Sequence, residues 1–363
     1  MTKLIKEWQF FLGIFVFFVV SYFEHDLLHG FGIVILIGLF LVIINSALSV
    51  AHHAEDLAHK LGEPWGTLIL TMAAVSVEVV IIIMMMLHGS SEFLVRDTIV
   101  YAIILDIAGI LGLSSILGAK KHNIQGYNQN STNSYIVVTI AAIFFSMVIP
   151  GLLNEEDKNA YAIFDLIAIF IFGIIFYKTM LKDNKDFFIF KKREIATMPS
   201  KVINEKYEKD SINVTYTSIF LILNIVVIGM LSEILAVFLE PQIETYGLPI
   251  GFAALVVAII SASPELITAV KSALNNKLQT PVNIAFGASL ATILFTVFTL
   301  KLLMLFGLFS FSLVLSNVQM IMLGALFTIS IVIYNDEKSN ELEGWILFSI
   351  LPLTAFLMWF EYM

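Results

Sequence analysis

The chain of 363 residues has no cysteine, which excludes disulfides and Cys₄-type metal sites and leaves no mark of a redox compartment. Charge is scarce as well. Only 13% of residues are Asp, Glu, Lys or Arg, against 59% hydrophobic, and a chain of that composition cannot cover itself with polar surface in water. The net charge is −9 and basic residues are not gathered in a groove with interleaved aromatics, so nucleic acid is not an expected partner. No small-residue A-x-A cleavage pattern follows Lys3 and Lys6, and the first apolar stretch is read as a retained helix rather than a signal peptide.

What the sequence has in abundance is apolar runs of about 20 residues, the length an α-helix needs to cross hydrocarbon about 30 Å thick. Runs such as Ile33 to Ile44 are apolar on every side, whereas a membrane barrel requires alternating polarity. The expected fold is an all-α polytopic membrane protein. Spans fall at roughly 8–23, 31–50, 65–88, 98–119, 133–153, 160–181, 214–239, 247–272, 281–302, 313–334 and 344–361, eleven in all. If the loops alternate between sides, 17 of the 20 Lys and Arg fall on one side and only Arg96, Lys158 and Lys301 on the other. The positive-inside rule then makes the N-terminus cytoplasmic, and the expected location is the inner, or plasma, membrane. The Lys182 to Asn213 stretch mixes both signs of charge and reads as a solvated cytoplasmic linker.

Residues 1–30 form an extra N-terminal transmembrane helix, 31–181 a five-helix unit, 182–213 the linker and 214–363 a second five-helix unit. Five is odd, so two consecutive units insert with opposite topology, as in transporters built from inverted repeats around a midplane site. In each unit the second helix carries a glutamate in an apolar setting: Glu78 after Ala74-Val75-Ser76-Val77, and Glu265 after Ser261-Ala262-Ser263-Pro264. A carboxylate inside hydrocarbon is costly and faces a bundle interior, a water cavity or a partner. The alternative, a glutamate that fixes helix packing through a basic partner, is weakened because nearby helices offer almost no mid-span Lys or Arg.

Pro264 is expected to break its helix, removing one hydrogen bond and displacing the carbonyl of Ile260, so that carbonyls in 260–262 become candidate oxygen ligands. With Glu78 and Glu265 as metal ligands and Ser76, Ser261, Ser263 and Ser289 as hydroxyls, the set is a hard-oxygen site. It suits Ca²⁺, or Na⁺ if the site is smaller and less charged. Two like charges in a dry site repel, so without a cation at least one carries a proton, and a divalent cation expels it. Competition between ion and proton for shared oxygens is the minimum for antiport. No cofactor and no nucleotide motif are required.

These residues resemble the calcium/cation antiporter superfamily, in its cation/proton exchanger branch with the bacterial Ca²⁺(Na⁺)/H⁺ antiporters. The resemblance rests on His52-His53-Ala54-Glu55-Asp56-Leu57-Ala58-His59-Lys60 running into the Glu78 helix, on Arg96-Asp97-Thr98, and on Ser263-Pro264-Glu265 followed by Asn275 to Thr280 and Asn283 to Ala291. It implies alternating access, with the paired glutamates binding cation and proton in turn. One departure bears on selectivity: where plant and fungal exchangers of this branch place Asn before each glutamate, this chain has Val75 and Ala262, so two amide ligands are missing. The physiological cation stays open among Ca²⁺, Na⁺ and K⁺, and so does homodimerisation. Asp106 stands open as a third acidic ligand, a proton relay or a charge facing a vestibule.

Other polar groups have weaker readings. His52, Asp56 and His59 share a helical face with Glu55 alongside; they fit proton entry or a vestibule, or, in a reading of another class, an intramembrane metalloenzyme. Glu233 and Glu240 fit either an outer vestibule or solvated helix ends. Thr292 and Asn283 could add hydroxyl or amide ligands, and Met84-Met85-Met86 is packing filler.

Overall fold

The computed structural model describes residues 7–62, 65–88, 93–179, 212–249 and 251–361, so most of the 182–213 linker lies outside the described residues. Among them are eleven helices: α1 Trp8–Tyr22, α2 Glu24–Leu61, α3 Trp65–Leu87, α4 Leu94–His122, α5 Gln129–Leu152, α6 Glu155–Lys178, α7 Val214–Tyr246, α8 Gly251–Leu274, α9 Gln279–Leu305, α10 Asn317–Ile333 and α11 Glu341–Glu361. Nine are long and apolar enough to cross a membrane, and α1 and α10 are shorter apolar helices. The chain is an all-α, multi-pass membrane protein.

Two-residue strands, β1 (Gln125–Gly126) and β2 (Lys338–Ser339), pair antiparallel and tie the loop after α4 to the loop before α11. The chain bends inside α2 at Phe31 (φ −135°, ψ 21°), where the long span begins. The third helix of each unit carries one stretch of π-helix, Leu105–Leu111 in α4 and Thr292–Val297 in α9. Such turns inside α-helices recur at functional sites because they re-aim side chains.

The helices α3, α4, α8 and α9 pack together at the centre, with α2 and α7 side by side along one flank. The helix α4 is buried nearly all round, whereas α6 turns Phe164, Ile167, Phe170 and Ile174 outward, as a lipid-facing helix does. The close approach of α4 and α11 depends on glycine. A Cβ at Gly112 would lie 2.9 Å from the Phe348 nitrogen, and one at Gly344 would lie 2.7 Å from the Ile116 nitrogen.

The expected span 313–334 starts too early. Its first residues are extended, and Phe311, Leu313 and Leu315 alternate inward while Leu315 N–H donates to Met147 C=O at 3.1 Å. The helix begins only where Ser316 and Gln319 form a capping box.

Lys301 is not a counter-charge for the glutamates. It is buried (6% exposed) and pairs with the fully buried Asp165 of α6, while its ammonium also donates to the Ser146 carbonyl at 2.9 Å. The Ser146 hydroxyl donates to the other Asp165 oxygen at 3.1 Å, so both charges have partners.

Candidate functional site

The central four helices form a small cavity lined by Ala74, Val75 and Glu78 of α3, Ala102 and Asp106 of α4, Ser261, Ala262 and Glu265 of α8, and Ala288 and Thr292 of α9. Small side chains leave the room, and the acids supply nearly all the polarity. Glu78 and Asp106 are each 3% exposed, while Glu265 is less deeply buried. All three carboxylate side chains line this one cavity. No cationic side chain pairs with any of them among the described residues.

Glu78 is held across the interface between the two units. Thr292 and Thr296 of α9 both donate to its Oε2, each at 2.9 Å, and its buried Oε1 has no hydrogen-bond partner. Asp106 opens the π-turn of α4, and Ser289 donates to its Oδ2 at 3.2 Å while also reaching its own Ala285 carbonyl at 3.0 Å.

Glu265 also lines a second cavity, which shares Ala74 and Ser261 with the first and runs past Pro264 and Thr268 of α8, Leu70 and Thr71 of α3, and Ala47 and Ala51 of α2. At its mouth the Thr268 hydroxyl donates to Glu55 at 2.8 Å, and Glu55 is exposed. At the other end of the bundle, Arg96 binds Asp97 at 2.9 Å and the Val314 carbonyl at 3.2 Å. Gln319 donates to Asp97 at 2.6 Å, so α4, α10 and the extended 309–316 segment are tied together there.

The expected residues divide. Glu78, Glu265, Asp106 and Ser261 line the cavity, and Ser289 touches it through Asp106. Ser76 and Ser263 do not line it; their hydroxyls donate to Met72 C=O at 2.7 Å and Ile259 C=O at 2.5 Å. Ser261 likewise donates to Ala258 C=O at 3.0 Å. Pro264 lies inside a continuous α8, which corrects the expected helix break: neighbouring helices hold the segment, and the Ser261 and Ser263 hydroxyls bond to the Ala258 and Ile259 carbonyls just before the Ile260 carbonyl that Pro264 leaves without its N–H.

His52, Asp56 and His59 do not build a metal centre. Among the described residues no three His, Asp or Glu side chains, Glu78, Glu265 and Asp106 included, stand close enough together as placed to ligate one metal ion. His52 and Asp56 line a separate polar pocket with Glu7, His53 and Tyr216, whereas Glu55 is bonded to Thr268, which lines the second cavity. Glu233 is exposed and lies 4.0 Å from His88, away from the cavity; the Glu240 side chain is outside the described residues. Thr296 escaped the sequence reading, although its spacing of four from Thr292 places both on one helical face.

Comparison with known proteins agrees with this architecture. A Sodium/calcium exchanger protein family model matches residues 31–180 and 216–360. The Escherichia coli (strain K12) protein named sodium-potassium/proton antiporter ChaA is 30% identical over 260 residues, 70% of this chain and 69% of that one. The Bacillus subtilis (strain 168) Ca²⁺/H⁺ antiporter ChaA is 24% identical over 316 residues, 86% of this chain and 88% of that one. Among solved structures, native YfkE superposes with a TM-score of 0.75 at 21% identity over 97% of this chain and 99% of that one, and the H⁺/Ca²⁺ exchanger CAX with 0.69 at 13% over 98% and 92%. The metalloenzyme reading falls with these matches, because the relatives are transporters. The chain is a secondary transporter and belongs to the sodium/calcium exchanger protein family.

Proposed function

We propose that this protein exchanges Ca²⁺ for H⁺ across the membrane by alternating access, with Glu78 and Glu265 as the shared cation and proton ligands and Asp106 as a third acid. The observation that carries the reading is the convergence of acids from α3, α4 and α8 on one small cavity without a basic partner. In the absence of a cation, mutual repulsion makes protonation of at least one acid favourable; a divalent cation neutralises two charges and releases protons. On this reading the branch past Thr268 toward Glu55 is the path to one side, the cytoplasmic side by the distribution of Lys and Arg, and the Arg96, Asp97 and Gln319 network closes the other.

A second reading, Na⁺(K⁺)/H⁺ exchange with little Ca²⁺ activity, is supported by the missing amides at Val75 and Ala262 and by the name of the Escherichia coli relative. Cation-driven proton flux in proteoliposomes, with Ca²⁺, Na⁺ and K⁺ supplied separately, decides between them. Ca²⁺ alone driving proton movement supports the first reading, and Na⁺ or K⁺ alone the second. No flux with any cation over a wide pH range overturns both.

A further inference from the structure

We infer that Thr292 and Thr296 are positioning residues that hold Glu78 by Oε2 and leave Oε1 as its single exchanging oxygen. The inference rests on the shared-carboxylate reading and names what sets the cation affinity of that site in place of the absent amides.

The geometry makes the assignment. Each hydroxyl has one proton, and each donates it to the same carboxylate oxygen at 2.9 Å. An oxygen that accepts two O–H donors must keep its lone pairs, so a proton arriving on Glu78 goes to Oε1. That atom is buried and has no hydrogen-bond partner, and its side chain borders the cavity shared with Asp106 and Glu265.

The local backbone explains why both hydroxyls are available. A helical threonine ordinarily turns its hydroxyl back to the carbonyl four residues earlier, as Thr139 and Thr354 do here. Thr292 and Thr296 instead lie in the π-turn of α9, where both hydroxyls point across to α3. Because Glu78 belongs to the first unit and the threonines to the second, the bonds also tie the site to the relative placement of the two units.

Two donors on one oxygen fix the carboxylate in a single orientation and leave only Oε1 open to an ion. Without them the side chain has to be ordered when the ion binds. Paired substitution by valine, T292V with T296V, preserves shape and removes only the hydroxyls; T292S with T296S restores them. In full-length protein in proteoliposomes, using whichever of Ca²⁺, Na⁺ or K⁺ drives the unaltered protein, the valine pair is expected to raise the apparent KM about tenfold at fixed pH. The maximal rate changes little, and the serine pair returns the KM. A valine pair with unaltered KM overturns the assignment, as does one that loses maximal rate while the KM stays in place. Glu78→Gln, run alongside, tests the underlying reading separately: if it exchanges normally, the shared-carboxylate site itself is wrong.

Discussion

Two groups of buried charge lie in this membrane bundle, and they are treated in opposite ways. Asp165 and Lys301 meet between α6 and α9, and Ser146 supplies a hydroxyl to one and a carbonyl to the other. Glu78, Glu265 and Asp106 meet between the two units with no basic partner among the described residues, and one Glu78 oxygen is left without any donor. The first group is complete as it stands. The second lacks positive charge, and in hydrocarbon that deficit persists only where an ion or a proton fills it. On the proposed function the buried ion pair is architecture and the buried set of like charges is the transport site.

The sharpest way to break the contrast is to neutralise one member of each group. Glu78→Gln or Glu265→Gln is expected to reduce cation-driven proton flux about a hundredfold or more, the equivalent of roughly 3 kcal/mol of lost ligand interaction. Thermal unfolding in detergent should be unchanged or slightly improved, because a source of repulsion is gone. Normal flux in either variant would abolish the distinction. Lys301→Met should do the reverse: it strands Asp165 and costs about 3–5 kcal/mol of stability, while the apparent KM of the molecules that still fold stays within twofold or so. Adding Asp165→Leu should recover much of the stability, since an apolar pair of similar volume replaces the ions without an orphan charge.

The same contrast separates what could be read from the sequence from what could not. Apolar runs and the asymmetry of Lys and Arg were sufficient for eleven helices, and a glutamate in the second helix of each unit was conspicuous because nothing around it justified a charge. The Asp165 and Lys301 pair was not legible: the two residues are 136 positions apart, and only the packing of α6 on α9 joins them. The π-turns left no trace in hydropathy, so the joint aim of Thr292 and Thr296 at Glu78 was hidden, although Thr292 itself stood out as a hydroxyl. The His52, Asp56 and His59 face was a true helical face, but His52 and Asp56 line a pocket with Glu7 and Tyr216 rather than the central cavity. Pro264 misled for a related reason, since a lone helix would break there and one packed among α3, α4 and α9 does not.

Asp106 tests whether the unpaired group is two acids or three. Its carboxylate borders the cavity and takes a hydrogen bond from Ser289 at 3.2 Å, so it is held less firmly than Glu78. If it serves as an auxiliary ligand, Asp106→Asn should raise the apparent KM for the cation about tenfold, by analogy with the loss of one charge-assisted contact, and leave exchange detectable. Complete loss of flux would place Asp106 on an equal footing with the two glutamates.

The smallest effect is expected where the charge is exposed. Glu55 stands at the mouth of the cavity, outside the dry region, and its bond to Thr268 spans 2.8 Å between α2 and α8. Water and salt screen it, so its contribution is to raise the local cation concentration rather than to bind. Glu55→Gln should therefore slow entry about twofold at low ionic strength, only from the side onto which the cavity opens, and the difference should vanish at high salt. An effect that survives high salt, or one seen equally from both sides, would mean that Glu55 binds the ion directly and that the unpaired acids extend from the cavity to its mouth.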